Sequence, residues 1–172
     1  KMNIEYENPW FKVIKDGKYH YLKENGSDNG AVVLVLINDD FIFVKVSRPA
    51  HSIKSLEAPR GYGDVGESSE SCAIRELYEE TGYSFETSDL ENIGVVRPNT
   101  AILSSSIPVY LIESGIRSSV QLSGDEISEV VYISKEEVYK QVTAGKITDG
   151  ITLAALGLYW ARNHNKQSQA DA

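Results

Sequence analysis

The sequence predicts a single α+β domain, because strand patterns and helix patterns occupy separate parts of the chain. Residues 31–37 (AVVLVLI) form a continuous run rich in β-branched residues, which is typical of a buried strand. Residues 41–46 supply a partner strand directly after a polar turn. Helix patterns cover residues 68–81, 134–144 and 150–162. Neither a repeat nor a linker divides the 172 residues, so we expect one core.

The first thirty residues predict an N-terminal β extension ahead of the main domain, which we place at residues 31–164. Asp16 and Gly17 separate two alternating segments, and an Asp-Gly pair is a strong hairpin signal. Further strands are predicted at residues 93–96, 106–113 and 130–133. Residues 165–172 are polar, and we expect them to form a disordered tail.

The helix predicted at residues 68–81 has one apolar face and one acidic face. Ser68 or Ser69 provides a cap, and Gly82 stands where a helix commonly ends. At about 100° per residue, the apolar side chains fall on one arc and three glutamates fall together on another. These glutamates are Glu76, Glu79 and Glu80. Like charges at such spacings repel by about 0.2–0.5 kcal/mol per pair, so the acidic face requires an explanation.

Composition and charge exclude several classes of function. The formal net charge is −8, with 17 Lys and Arg against 25 Asp and Glu. Nucleic acids and anionic membranes bind clustered basic residues, so we expect neither as a partner. No segment approaches the roughly 20 apolar residues of a membrane span, and no signal peptide is evident. Cys72 is the only cysteine, which favours a reducing, cytoplasmic location.

The acidic face belongs to a longer pattern with fixed spacing. Five residues separate Gly61 from Glu67, and seven separate Glu67 from Arg75. The pattern continues through RELYEETG, residues 75–82. Over its whole length it resembles the signature of the Nudix hydrolases. Tyr83 departs from the aliphatic residue usual at the last position, a change that concerns packing rather than chemistry.

This resemblance implies a fold and a reaction. The fold is a mixed β-sheet sandwiched between helices, and the reaction is metal-dependent hydrolysis of a nucleoside diphosphate linked to another group. Mg²⁺, or Mn²⁺ in its place, is the expected cofactor, because hard divalent cations prefer oxygen ligands. Glu76 and Glu80 lie one helical turn apart and Glu79 flanks them, so all three are candidate ligands.

The other motif residues are expected to be structural. Glu67 should cap or brace the loop ahead of the helix, and Arg75 should orient Glu79 rather than contact substrate. The residues assigned this structural role are Gly61, Glu67, Arg75 and Gly82.

Residues outside the signature resemble the branch that hydrolyses ADP-ribose and related nucleotide sugars. Residues 56–61 (LEAPRG) are similar to the Glu-Leu-Pro-Ala-Gly run of that branch, with Arg60 in place of alanine. There the corresponding backbone carbonyl binds a metal ion, whereas the Arg60 side chain either contacts phosphate or points away. Pro98, sixteen residues after Gly82, is typical of the same branch. Residues 44–49 (VKVSRP) resemble a strand of that branch whose final arginine contacts the substrate's phosphates, which implies this role for Arg48, and an ordinary surface ion pair is the alternative.

The general base is expected from the acidic loop at residues 124–129 (GDEISE). In the ADP-ribose branch such a loop supplies a general base or a metal ligand. Glu126 aligns best, followed by Asp125 and Glu129, and a plain polar turn is the alternative. Glu79 is a second catalytic candidate beside its expected role as a ligand. A base must lie within hydrogen-bond reach of the attacking water, so geometry has to decide.

Taken together, these patterns predict Mg²⁺-dependent hydrolysis of ADP-ribose to AMP and ribose 5-phosphate. GDP-mannose, ADP-glucose and nucleoside triphosphates are alternative substrates, and a Nudix domain that senses a nucleotide without hydrolysing it is a rival of another class. The branch also implies a homodimer that exchanges its N-terminal strands. Four aromatic residues of the extension are available to pack such an interface or to stack on a nucleobase: Trp10, Phe11, Tyr19 and Tyr21.

Overall fold

The computed structural model describes residues 1–115 and 129–170 of the chain. Its strands are β1 Met2–Glu7, β2 Phe11–Asp16, β3 Tyr19–Glu24, β4 Ala31–Ile37, β5 Asp40–Arg48, β6 Ile53–Glu57, β7 Arg60–Gly61, β8 Glu91–Val96, β9 Ile107–Ser114 and β10 Glu129–Ser134. Its helices are α1 Ser69–Thr81, α2 Lys135–Thr143 and α3 Gly150–Ala170. Short 3₁₀ turns lie at Pro49–His51 and Thr87–Asp89. The strands and helices that the sequence predicted are present, with the largest difference in length at the end of α3.

A mixed sheet forms the centre of the domain. Its strand order is β10-β5-β4-β9-β8, with β6 paired to β5 and β7 paired to β4. Strands β4 and β9 run parallel, whereas the other pairs are antiparallel. The expected mixed sheet is therefore confirmed.

Both faces of β4 are buried, which explains its uninterrupted run of branched residues. Val32 and Leu34 belong to a core with Leu156 of α3, and α2 packs on the same side. Val33 belongs to a second core, with Leu77 of α1. The sheet therefore lies between α1 on one face and α2 with α3 on the other, as expected from the family resemblance.

The N-terminal strands form a separate antiparallel sheet in the order β1-β2-β3. Asp16 pairs with Tyr19 across the predicted hairpin turn. This sheet is attached to the loop before β9, since Leu22 N–H donates to the Ile102 carbonyl at 2.7 Å. Ser104 N–H donates back to the Leu22 carbonyl at 3.0 Å. The extension is therefore held against the edge of the main domain.

Helix α3 is longer than the sequence predicted. The tail from residue 165 was expected to be disordered, whereas α3 continues to Ala170. Neither Gly nor Pro follows Gly157 within the helix, and each further residue adds a backbone hydrogen bond to a helix already nucleated by its buried part. Among the described residues, no helix is both long and apolar enough to span a membrane.

Candidate active site

Helix α1 carries the acidic motif, and its sequence fixes both of its ends. Ser68 Oγ accepts a hydrogen bond from Ser71 N–H at 3.1 Å. Gly82 closes the helix in the left-handed region with a φ of 75°, a conformation that favours glycine. Ala73 and Leu77 are fully buried against the sheet. Burial of this face leaves the glutamates of α1 on the other side of the helix.

The Arg75 guanidinium holds the motif carboxylates together. Its Nε and Nη2 donate to the two oxygens of Glu67 at 3.0 and 2.9 Å. Its Nη1 donates to Glu76 Oε1 at 2.8 Å and to Glu79 Oε2 at 3.1 Å. Nη2 also donates to the Tyr62 carbonyl at 3.0 Å. One cation thus offsets the repulsion among three carboxylates, and its hydrogen bonds lower the pKa of Glu67.

Among the three motif glutamates of α1, Glu76 and Glu80 are partly buried, whereas Glu79 is exposed. Burial raises the pKa of Glu76, and it raises the pKa of Glu80 to about 7. Glu80 Oε2 accepts a hydrogen bond from Arg60 N–H at 3.1 Å. Among the described residues, no Lys, Arg or His side chain lies within 4 Å of the Glu80 carboxylate. Glu80 therefore lacks a cationic partner of the kind that Arg75 provides for Glu76.

Gly61 is required by close packing rather than by its backbone conformation. A Cβ atom at this position would lie 2.0 Å from Cδ of Glu76. Any side chain at position 61 would therefore displace the Glu76 carboxylate. The absence of a side chain at position 61 therefore leaves room for the Glu76 carboxylate.

A network of ion pairs borders the same region. Glu57 is 1% exposed, and its carboxylate accepts from Arg48 Nε at 2.8 Å and from Arg48 Nη2 at 2.5 Å. Arg60 Nη2 lies 3.0 Å from the same carboxylate. Arg60 also forms a fork on Asp149, with distances of 2.5 and 3.1 Å. Asp149 in turn accepts Thr152 N–H at 2.8 Å and so caps α3.

These contacts show how the structure places the two arginines for which the sequence left alternatives open. Arg60 neither points away from the site nor has a free guanidinium, because Glu57 and Asp149 occupy it. Arg48 forms an ion pair, which was the alternative for this residue, with its own side chain 41% exposed and its partner Glu57 buried. Hydrogen bonding to Glu57 raises the pKa of Arg48 further. Burial alone would raise the pKa of Asp149, but the hydrogen bonds and charge of Arg60 outweigh it and lower that pKa.

Most of the candidate site residues that the structure describes line one cavity of about 1070 Å³. The sequence-predicted residues on its lining are Arg48, Arg60, Gly61, Arg75, Glu76, Glu80 and Pro98. Three other motif residues, Glu67, Glu79 and Gly82, do not line it. The side chain of Glu79 is 47% exposed and pairs with Arg75. The cavity therefore brings together cations and half-buried carboxylates from α1, β5 and β7.

Sequence reasoning missed several polar groups on the lining. Two of these residues could have been found from the sequence. Glu57 lies inside the LEAPRG segment, and Asp149 directly precedes a predicted helix, where an N-cap residue is expected. Tyr62 and Glu24 gave no signal, because they are distant in sequence and meet only in the fold. Tyr62 Oη donates to Glu24 Oε1 at 2.7 Å, and Ser105 Oγ donates to Glu24 Oε2 at 2.6 Å.

The acidic loop proposed for the general base lies largely outside the described residues. Glu126 and Asp125 fall within residues 116–128, of which the structure gives no description. Glu129 opens β10 and forms an ion pair with Lys45 at 2.5 Å. It does not line the cavity. Within the described ranges, no three His, Cys, Asp or Glu side chains are gathered closely enough to hold a metal ion by themselves.

The glutamate-bearing helix α1 lies beside a cavity lined by arginines and carboxylates, on a mixed sheet between helices. The model of the NUDIX domain matches residues 28–155, most of the chain. The chain belongs to the Nudix family and is a hydrolase.

Individual relatives agree with this assignment. The chain is 30% identical over 131 residues to the ADP-ribose pyrophosphatase of Bacillus subtilis (strain 168), covering 74% of this chain and 70% of that protein. It is 29% identical over 107 residues to the ADP-sugar pyrophosphatase of Mus musculus, covering 60% of this chain and 49% of that protein. A crystal structure described as an ADP compounds hydrolase superposes with a TM-score of 0.76 at 16% identity, over 96% of this chain and 93% of that chain. The last comparison establishes the fold alone.

Proposed function

We propose that this hydrolase cleaves the diphosphate of a nucleoside diphosphate sugar, with ADP-ribose as the leading substrate and AMP and ribose 5-phosphate as products. Two relatives are named for ADP-ribose and for ADP-sugars. The observation that carries the proposal is the cavity, on which Glu76 and Glu80 share a lining with Arg48. A diphosphate is bound by arginine and by a cation, and the cation is held by carboxylates.

A divalent cation, Mg²⁺ with Mn²⁺ as a substitute, is part of this proposal. The chain offers hard oxygen donors in the Glu76 and Glu80 carboxylates and in the backbone carbonyl of Arg60. The lack of a cationic partner for Glu80, together with its pKa of about 7, supports the fit, because a bound cation would stabilise the ionised form. Glu79 and Glu126 are proposed to complete the donor set. When bound, the ion neutralises the diphosphate and activates a water molecule.

The arginines have different tasks in this proposal. Arg75 spaces the α1 carboxylates and fixes the loop ahead of the helix through Glu67. Arg48 uses Nε and Nη2 on Glu57, which leaves Nη1 to bind a phosphate oxygen. Arg60 is committed to two carboxylates, so it joins β7 to the start of α3 rather than acting as a free phosphate ligand. Pro98 lines the same cavity and shapes its wall.

Hydrolysis requires water to attack one phosphorus in line while the bond from that phosphorus to the bridging oxygen breaks. We assign the general base to Glu126, which takes the proton of the attacking water, and the bridging oxygen departs with the other phosphate. Replacing a general base typically lowers the rate by about 10²- to 10⁴-fold, so Glu126→Gln should lower kcat by this amount without changing the unfolding midpoint. Turnover near that of the wild type would remove Glu126 from this role.

The proposal is tested with a panel of ADP-ribose, ADP-glucose, GDP-mannose and nucleoside triphosphates, with Mg²⁺ or Mn²⁺, in water enriched in heavy oxygen. Mass spectrometry of the products should show AMP and ribose 5-phosphate from ADP-ribose, with one heavy oxygen on one of the two phosphates. Turnover of triphosphates alone would reassign the substrate. Binding of ADP-ribose without hydrolysis would indicate a sensing domain, and turnover of no compound would overturn the proposal.

A homodimer that exchanges its N-terminal strands is also proposed. All six residues of β1 are exposed, among them Met2, Ile4 and Tyr6, whose apolar side chains are more than half accessible. In the described part of the chain, β1 pairs only with β2, so its other edge is available. Light scattering during size-exclusion chromatography should give twice the chain mass of 19.1 kDa, and a monomer at working concentration would contradict the proposal. A cytoplasmic location is proposed on the single buried thiol of Cys72.

A further inference from the structure

Tyr62 is a large aromatic residue held in an exposed position on the cavity lining. It is 54% exposed although it directly follows the tightly packed Gly61. Its hydroxyl donates to Glu24 at 2.7 Å, and its carbonyl accepts from Arg75 at 3.0 Å. The next residue, Gly63, donates its N–H to the Gly26 carbonyl at 3.0 Å. The ring is thus fixed at its tip and at its backbone while much of it stays open.

The backbone behind Tyr62 is closely packed. A Cβ atom on Gly26 would lie 2.8 Å from Cβ of Tyr62, and one on Gly30 would lie 3.5 Å from its Cα. Glu24, which fixes the hydroxyl, is itself fixed by Ser105 at 2.6 Å. The turn between β3 and β4 therefore prevents Tyr62 from retracting. A side chain fixed in advance loses little conformational entropy when a ligand binds to it.

Tyr62 is the only Phe, Trp or Tyr residue among the described residues that line the cavity. The aromatic residues that the sequence offered for base stacking belong to the extension and do not line it. Trp10 and Tyr19 are 73% and 67% exposed elsewhere on the N-terminal sheet. The lining also includes the imidazole of His51 and apolar side chains such as Ile53, but Tyr62 has the largest aromatic face on it, which suits the aromatic part of a nucleotide.

We propose that the ring of Tyr62 is the platform on which the nucleobase of the substrate stacks, with Glu24 as the residue that positions this ring. This inference rests on the proposed function, because it places the base of a nucleoside diphosphate sugar. Base-on-aromatic stacking tolerates different bases, since every base has a π face. Tyr62 therefore contributes affinity for nucleotides over base-free phosphates, and it selects weakly among purines.

The test compares Tyr62→Leu with Tyr62→Phe, which keeps the ring and removes the hydroxyl. Tyr139→Leu is the matched control, because Tyr139 is 53% exposed and stacks on Trp160 of α3 away from the cavity. Binding of AMP and of ribose 5-phosphate is measured by NMR titration, and KM is measured with ADP-ribose. Thermal unfolding of each variant verifies that it is folded.

Tyr62→Leu should weaken AMP binding by roughly 5- to 150-fold and raise KM by a similar factor, with a smaller change in kcat. Ribose 5-phosphate binding should be unaffected. The base protons of AMP should shift upfield on binding to wild type and Tyr62→Phe, and this ring-current shift should vanish in Tyr62→Leu. Tyr139→Leu should behave as wild type.

An unchanged AMP affinity in Tyr62→Leu would overturn the inference, and so would an equal weakening of AMP and ribose 5-phosphate binding. Wild-type protein that shows no upfield shift of the AMP base protons would overturn it as well. The AMP titration needs no turnover. If the protein binds AMP through Tyr62 and hydrolyses none of the compounds, the proposed reaction is wrong. The assignment of Tyr62 as the stacking platform would still hold.

Discussion

Replacing Glu80 with glutamine should stabilise the metal-free protein. Burial raises the pKa of Glu80 from 4.5 to about 7, so at pH 8 the folded protein must ionise a carboxyl that prefers to be protonated. This difference corresponds to about 3 kcal/mol at about 1.4 kcal/mol per tenfold change in the ionisation constant. Glutamine is neutral and retains an oxygen for the Arg60 N–H, so most of that cost disappears. For a chain of this size the melting temperature should rise by roughly 6 to 12 °C.

The size of the stability gain depends on pH within a defined window. Between pH 4.5 and about 7 the folded state holds more protons at Glu80 than the unfolded state does, so wild-type stability falls as the pH rises through this window. The gain from Glu80→Gln should therefore be near zero at pH 4.5, grow up to pH 7 and stay constant above it.

Urea unfolding in excess EDTA at several pH values measures this gain as a difference between variant and wild type. Glu79→Gln is the control, because Glu79 is half-exposed and pairs with Arg75, so its change should stay within about 1 kcal/mol. Added Mg²⁺ should stabilise wild type and have a smaller effect on Glu80→Gln. A variant that is no more stable than wild type at pH 8 in EDTA would refute the reasoning.

Two further predictions concern the packing around the carboxylates. Gly61→Ala places a Cβ atom 2.0 Å from Glu76 Cδ. The affinity for Mn²⁺, measured by calorimetry, should therefore fall roughly tenfold or more, which corresponds to about 1.4 kcal/mol of binding free energy. The free energy of unfolding should change less than it does for a core substitution. The control is Gly157→Ala, because Gly157 lies in α3 with open space around it, and this variant should gain up to about 1 kcal/mol of stability. Equal Mn²⁺ affinity in Gly61→Ala and Gly157→Ala would contradict the argument from close packing. Asp149→Asn keeps the helix cap but removes the anion from Arg60, so at pH 7 it should lose about 1–3 kcal/mol of stability by urea unfolding. Because the pKa of Asp149 is lowered in the folded state, this loss should shrink as the pH falls below 3.8, and a loss independent of pH would exclude the ion pair as its cause.

Much of the fold could be predicted because its signals are local. The uninterrupted run of β4, the Asp-Gly turn after β2 and the Ser68 cap of α1 each depend on neighbouring residues, and the structure has all three. The end of α3 could not be predicted from polarity. Polar residues such as Lys166 and Gln167 are good helix formers, and the buried start of the helix supplies the nucleus.

The candidate site was predictable where its residues share one helix and its preceding loop. The spacing from Gly61 to Gly82 placed the α1 carboxylates and Arg75 together. It gave no information on the pairing of Arg60 with Asp149, which lie 89 positions apart and meet only after α3 packs on the sheet. Such contacts follow from tertiary structure, and no local period encodes them.

The carboxylates on the acidic face of α1 differ in the groups that surround them. Glu76 and Glu79 share the guanidinium of Arg75, which offsets part of their mutual repulsion. Glu80 has no such partner in the described part of the chain, and burial leaves it destabilising when it is ionised. Ionised Glu80 costs about 3 kcal/mol of stability, and a bound ligand that interacts with this carboxylate would offset that cost. A divalent cation bound to Glu80 on the cavity side would offset this cost. The stability of wild type and of Glu80→Gln without Mg²⁺ measures the cost of the ionised carboxylate, and the same comparison with Mg²⁺ measures the gain from the cation.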